Sequence, residues 1–273
     1  MTSTGRVLVT GASGRIGRVL VERARRAGID VAIPRVAGAR VDVEDAAKVR
    51  EAVISAQPEA IVHLAAVTGA ACERDGDRAV RVNEVATRHL VAAAEDAGVE
   101  TFVLASTAAV YGEQGPVALA EEADLLGTSV YARTKIAAER ILRASALPGA
   151  VSLRIFNVWG PGFDSSLVAR LERSQENAPV VLQGWEHFVR DYIHVDDVVD
   201  AFLLAIRTPP RTSGPVNVGT GVPMSNADLV ACLRGSRPDY RVEPAEPSHS
   251  VASIARAAEL WGFAPSRRVG GSA

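Results

Sequence analysis

Cysteine is scarce in this chain: Cys72 and Cys232 are the only two among 273 residues, too few and too far apart for a disulfide framework or a zinc cluster. A reducing, cytoplasmic setting and no bound metal are the expectations that follow. An excess of one charge is missing as well. Thirty Lys plus Arg stand against 32 Asp plus Glu, for a formal charge of -2, so no surplus positive field exists to hold nucleic acid or an anionic membrane. No stretch of about 18 uncharged apolar residues occurs, and glycines interrupt the N-terminal MTSTGRVLVTGASG before it reaches signal-peptide length. Export and membrane spanning are therefore not expected. Nor is there self-similarity at a period of about 20–50 residues, or a low-complexity tract beyond the final Gly270-Gly271-Ser272-Ala273. What remains is a globular composition, 48% apolar and 23% charged, sufficient for one large core or two coupled smaller ones.

From residue 6 to about 156, short β-branched runs alternate with longer segments of helical period, the pattern of βα units laid on a parallel sheet. Strands are predicted at residues 6–10, 30–33, 60–64, 101–106 and 151–156. Helices are predicted at 16–27, at 44–56 with Pro58 behind it, at 77–97 ending on Gly98, and at 130–146 ending before Pro148. Short right-handed connections then give a doubly wound α/β sheet. After residue 157 prolines and glycines cluster and the segments shorten; only 196–207, as a helix, and 215–218, as a strand, read as regular core.

The first strand runs directly into Gly11-Ala12-Ser13-Gly14-Arg15-Ile16-Gly17. Lacking β-carbons, Gly11 permits a tight turn, Gly14 lets a pyrophosphate approach the backbone, and Gly17 allows close helix-to-strand packing. The unpaired amides of the helix start face the anion. A second constellation, Tyr131-Ala132-Arg133-Thr134-Lys135, places a phenol and an ammonium four residues apart on one helix face. A neighbouring ammonium is expected to lower the tyrosine pKa by favouring the phenolate. A third group, Thr107, stands at the carboxyl end of the strand predicted at 101–106, the ligand-binding edge of such a sheet.

In chain order these segments are joined by Asp42-Val43, His63-Leu64-Ala65-Ala66, Asn83, Val110-Tyr111-Gly112, Leu153 to Asn157 with Gly160-Pro161, Arg190 to Asp197, and Asn217 to Gly221. Together they resemble the extended short-chain dehydrogenase/reductase family, the NAD(P)-dependent group of nucleotide-sugar epimerases, dehydratases and reductases. The resemblance implies a Rossmann-type NAD(P)-binding domain at 1–156 and a smaller substrate-binding lobe at 157–273, with about 189–220 returning to the Rossmann core. It implies Tyr131 as general acid/base, Thr107 on the reacting oxygen, and Lys135 on the nicotinamide ribose. Gly11, Ser13, Gly14, Arg15, Ile16 and Gly17 would cradle the cofactor, with Asp42 and Val43 at the adenine and Leu64, Ala65, Ala66 and Asn83 further along. Asn157 and Arg190 would hold a substrate diphosphate; alternatively Asn157 caps a strand end and Arg190 pairs with an aspartate. His63 and His194 read as packed or hydrogen-bonded groups, and Asp191, Asp196 and Asp197 as helix caps rather than metal ligands. In related enzymes the helices corresponding to 83–97 and 130–146 pair across a two-fold axis, so a homodimer is expected.

Two departures narrow the chemistry. Where an NAD-preferring member carries an acid after the second strand, this chain has Ile33-Pro34-Arg35; Arg35, helped by Arg15 or Arg40, would attract a 2′-phosphate, so NADP is favoured with NAD as the alternative. Sugar 4,6-dehydratases of the family carry an Asp-Glu pair beside the threonine, whereas Ala108 and Ala109 stand here and move no proton. An NADPH-dependent 4-ketoreductase of a nucleotide-linked 4-keto-deoxysugar is the favoured expectation and a 4-epimerase with retained NAD its rival. A non-catalytic redox sensor would need none of Thr107, Tyr131 and Lys135. Trp185 and Phe188, just before Arg190, would either stack on a base or fill core.

Overall fold

The computed structural model describes residues 5–208, 214–233, 235 and 237–271. Strand β1 (Val7–Thr10) turns into helix α1 (Arg15–Arg26), and the short strands β2 (Val31–Ala32), β3 (Arg35–Val36) and β4 (Ala39–Arg40) follow. Helix α2 (Ala46–Ala56) is capped by Asp45, whose carboxylate accepts the Lys48 N–H, and leads to β5 (Ala60–His63). Next come α3 (Ala70–Arg74) and α4 (Gly76–Val80), which passes through a π turn (Arg81–Val85) into α5 (Ala86–Asp96). The helix expected at 77–97 is thus one run with a widened turn at its centre. Strand β6 (Thr101–Thr107), a 3-10 turn (Ala108–Tyr111), α6 (Val130–Arg143) and β7 (Gly149–Ile155) complete the first half.

Beyond it lie β8 (Asn157–Trp159), α7 (Leu167–Glu172), β9 (Val180–Gln183), β10 (Phe188–Arg190) and β11 (Tyr192–His194). They are followed by α8 (Val195–Arg207), β12 (Gly214–Val218), β13 (Met224–Ser225), α9 (Asn226–Cys232), β14 (Tyr240–Glu243), β15 (Ser248–Ser250) and α10 (Ala255–Trp261).

The main sheet is parallel throughout, in the order β12-β7-β6-β5-β1-β2. Alternation along β1 assigns its faces: Val7 and Val9 join the core under α1, α8 and α10, while Leu8 joins the core under α2, α5 and α6. The result is a three-layer α/β/α sandwich whose strands are buried on both sides, as parallel strands require. The chain steps from β1 to β2 on one side and returns to β5 on the other, so the order reverses between β1 and β5. A crevice opens there at the strands' carboxyl ends. The short strands of the second half form separate small sheets, β13-β10-β15, β11-β8 and β14-β9. These cover a minor core of Val168, Leu171, Val180, Leu182, Tyr192 and Leu229.

Candidate active site

Close backbone approach creates the crevice. Gly11 has φ +66°, and a β-carbon there would lie 2.6 Å from the Ala65 nitrogen and 2.7 Å from the Leu64 carbonyl carbon. At Gly17 it would lie 2.2 Å from the Gly11 oxygen. Only glycine fits either position, and their absence of side chains brings the start of α1 against β1 and the segment leaving β5. The first amides of α1 lack partners within the helix and form an anion cradle.

The opposite wall comes from β6 and α6. Ser129 starts α6 by accepting the Ala132 N–H at 3.1 Å, which sets Tyr131 and Lys135 one turn apart on the inner face. Thr107, the last residue of β6, accepts the Ala109 N–H at 3.2 Å. A cleft of about 300 Å³ is lined by Gly11, Gly14, Arg15, Ile16, Gly17, Leu64, Ala66, Thr68, Thr107, Tyr131 and Lys135, with Ile155, Phe156, Val158 and Phe163 opposite. A second cavity of about 210 Å³ shares Gly11 and continues over Ser13, Ile33, Pro34, Arg40, Val41, Asp42, Val43 and Ala65. The two cavities meet at Gly11 and together form a trough from Asp42 and Val43 to Tyr131. Its cradle, admitting no β-carbon at Gly11, fits a dinucleotide pyrophosphate.

Burial, not the neighbouring ammonium, governs the tyrosine. Loss of solvent pushes the Tyr131 phenol up to about 12; the Cys72 thiol acts in the same sense, and hydrogen bonding with Thr107 and the charge of Arg15 oppose it. Lys135 does not enter that balance, contrary to the expectation of a lowered phenol. Its own pKa is pulled down to about 8 by burial, against the opposing fields of Glu139 and Cys72. At neutral pH the site holds a protonated phenol and an ammonium.

Beneath these groups lies a buried polar network. Arg154 and Glu139, with 4% and 8% side-chain exposure, are joined at 2.7 Å. The Ser106 hydroxyl donates to Glu139, and Arg154 donates to the Tyr111 hydroxyl at 3.0 Å and to the Glu121 carbonyl at 3.0 Å. Tyr111 donates to the Asn217 side chain at 2.6 Å. The strand that presents Thr107 is thereby tied to the helix that presents Tyr131 and Lys135. On the other flank the His63 ring meets Thr10 at 2.6 Å and Thr87 at 3.2 Å, and burial lowers its pKa to about 3; the ring is neutral.

Several residues singled out from sequence are placed elsewhere. Asn83 does not line the trough: its amide accepts the Val67 N–H at 2.8 Å and donates to the Val67 carbonyl and Thr134 hydroxyl at 2.9 and 3.0 Å. It fixes the segment after β5, and both of its amide hydrogens are spent there. Arg35 lies in the β3–β4 hairpin and donates to the Gly38 carbonyl; Arg40, not Arg35, lines the second cavity. Asn157 donates to the Asp191 carbonyl at 3.1 Å, and neither it nor Arg190 lines the cleft. Asp191 caps no helix. Its carboxylate accepts the N–H groups of Thr220, Gly221 and Ala252, while His194 caps α8 by accepting the Asp196 N–H at 3.2 Å. Trp185 stacks on Tyr240 at 5.4 Å and Phe188 lies under Arg190. Among the described residues no cluster of three His, Cys, Asp or Glu side chains is placed to hold a metal ion, and no helix is long and apolar enough to cross a membrane.

Sequence reading missed Phe163, whose ring lies 4.7 Å beneath the Arg15 guanidinium, although its place after Gly160-Pro161-Gly162 marks a turn returning to the cleft. Cys72 was also missed as a neighbour of Tyr131. It is buried, and its Sγ donates to the Val67 carbonyl at 3.1 Å; nothing in its local sequence signals this.

Residues 7–219 match the model of the NAD dependent epimerase/dehydratase family. A UDP-glucose 4-epimerase from Streptomyces lividans is 30% identical, over 97% of this chain and 92% of its own length. A 3-diazoavenalumate denitrifying reductase from a Streptomyces species is 35% identical over 74% of this chain and 72% of its own. The structure of MoeE5 in complex with UDP-glucuronic acid and NAD superposes with a TM-score of 0.85 at 30% identity, covering 97% of this chain and 95% of that one. With its parallel sheet, glycine cradle and Thr-Tyr-Lys cleft, the chain belongs to the NAD dependent epimerase/dehydratase family of enzymes.

Proposed function

We propose that this enzyme is an NADPH-dependent reductase of the 4-keto group of a nucleotide-linked deoxysugar. The observation that carries the reading is that Thr107, Tyr131 and Lys135 line the same cleft as Gly11, Gly14 and Gly17. The residues of that cleft would hold a nicotinamide dinucleotide, which would supply the hydride. The chain supplies the proton: Tyr131, kept protonated at neutral pH by burial, gives its O–H proton to the carbonyl oxygen as hydride reaches the carbon, so ketone, hydride and proton balance as a secondary alcohol. Thr107 donates to the same oxygen. Lys135 holds ribose hydroxyls, while the Thr107 hydrogen bond and the Arg15 charge ease the phenolate left on Tyr131 until solvent returns its proton. Ala108 and Ala109 offer no acid or base for removing water.

Arg40 at the adenosine end, with no carboxylate in Ile33-Pro34-Arg35, favours a 2′-phosphate and hence NADP. In this reading residues 1–156 bind the cofactor and residues 157–273 the sugar nucleotide, with 189–220 returned to the nucleotide-binding core. Two copies pair through α5 and α6, so light scattering is expected to give twice 28.7 kDa; a single-chain mass overturns the pairing.

The second reading, 4-epimerisation with retained NAD, is favoured by the names of relatives such as the Streptomyces lividans enzyme. Mass analysis separates the two. Incubation of nucleotide 4-keto-sugars with NADPH is expected to add two hydrogens. Unchanged mass with inverted stereochemistry at C4 of a nucleotide sugar supports epimerisation, and no change of either kind overturns both.

A further inference from the structure

Arg15, the first residue of α1, reaches out of the glycine turn to the second half of the chain. Its guanidinium lies 4.7 Å from the centre of the Phe163 ring and donates to the Ser165 hydroxyl at 3.1 Å, a contact across 150 residues of sequence. Arg15 and Phe163 both line the cleft that holds Tyr131 and Lys135, so the side chain crosses that cleft from one wall to the other. The two ends of the contact are built differently. Phe163 is buried and its segment is pinned: its N–H donates to the Gly160 carbonyl at 3.0 Å, its carbonyl accepts the Ser166 N–H at 2.8 Å, and Ser166 caps α7. Arg15 is exposed and hangs from the helix start on a flexible stem.

The charge of this arm is unspent. Arg23, farther along the same helix, is paired with Asp200. Arg15 has no carboxylate partner among the described residues, and the acid beside its anchor, Asp164, is taken by Arg173 at 2.8 Å. A guanidinium laid on an aromatic face with its charge unanswered suits an anion with several oxygens. The anion that this cleft fits is a dinucleotide pyrophosphate, because the α1 amides that would cradle it begin at Arg15 itself.

We propose that Arg15, Phe163 and Ser165 form a clasp over the cofactor: Phe163 and Ser165 are positioning residues that hold the guanidinium across the pyrophosphate, and a bound dinucleotide leaves only when this contact opens. The inference rests on the dinucleotide reading of the cleft and holds for either sugar reaction. It gives the second half of the chain a part in cofactor binding that its assignment to the sugar nucleotide leaves out.

Stopped-flow release of NADH, and separately of NADPH, from the full chain tests this, each displaced by excess of its oxidised form. Adenosine 2′-monophosphate, which lacks the pyrophosphate, is titrated as a third probe. Ser165→Ala and Phe163→Leu are each expected to speed release of both dinucleotides about two- to fivefold, the scale of one exposed hydrogen bond or cation–π contact. Phe163→Tyr keeps the ring and is expected to keep the natural rate. Arg15→Ala is expected to speed release at least tenfold, the scale of a charge-assisted bond. None should alter the affinity for adenosine 2′-monophosphate. Release unchanged or slowed in both Ser165→Ala and Phe163→Leu, or in Arg15→Ala, overturns the clasp, with Ser165→Ala alone deciding the first should Phe163→Leu not fold. An Arg15→Ala effect confined to NADPH and adenosine 2′-monophosphate also overturns it, because the guanidinium then serves the 2′-phosphate. A natural chain that binds neither dinucleotide at millimolar concentration overturns the clasp and the dinucleotide reading together, whereas natural binding with unaltered variants overturns the clasp alone.

Discussion

Tyr131 and Lys135 are each pushed toward their neutral forms by the same loss of solvent, and only the lysine comes near physiological pH. Replacing Tyr131 with Phe removes the proton donor without reshaping the cradle; turnover is expected to fall by about 10²–10⁴-fold, with NADPH affinity retained in a fluorescence titration. Lys135 predicts a basic limb. Its pKa of about 8 means that kcat/KM falls above that pH as the ammonium is lost, and a flat profile to pH 10 contradicts the role. Stability moves oppositely for this group: between about pH 8 and its ordinary value the unfolded chain keeps a proton the folded chain has shed, so stability rises with pH there. At the cofactor's far end, Arg40→Glu is expected to weaken NADPH by at least tenfold while changing NADH little, and Arg35→Ala to change neither, as read by paired titrations. Sequence made the glycines and the Tyr/Lys spacing legible because each acts through local geometry. It did not distinguish Arg35 from Arg40, since the hairpin between them reverses the chain. Nor did it reveal that Asn83 spends its amide on Val67 and Thr134.

Elements, rather than single side chains, determine whether the reacting groups meet. Helix α6 is held to β6 and β7 by Glu139 and Arg154, and one charge cannot leave without stranding the other. Glu139→Gln is expected to cost about 3–5 kcal/mol of unfolding free energy in urea, and to lower turnover through the displaced Lys135 turn. Glu139→Leu combined with Arg154→Met should recover much of the stability, because a packed apolar pair replaces a buried ionic one; no recovery would point to a cause other than the orphaned guanidinium. The helices and most strands of the first half were readable from period and punctuation, and Gly98 does end α5 with φ +68°. The π turn at Arg81–Val85 was not, because a widened turn preserves the apolar period on either side.

On the scale of the whole molecule, the acid limit of stability is tied to the switch point of the sheet. His63 is neutral and buried with a pKa of about 3, far below its ordinary 6.5. The unfolded chain takes up a proton there that the folded chain refuses, so unfolding free energy is expected to decline as pH falls from about 6.5 toward 3. Urea titrations across that window check the slope, and His63→Gln should flatten it. The alternating first half announced its architecture; the small sheets of the second half did not, because strands of two to four residues pair across long separations, such as β10 with β15 and β9 with β14. Asn217 shows what such long connections entail. Its N–H donates to Glu121, its amide donates to the Leu119 and Ser253 carbonyls, and its oxygen receives the Tyr111 proton. The reaction edge is thus braced by groups more than a hundred residues apart, so a growing polypeptide cannot complete it before residue 253 has emerged.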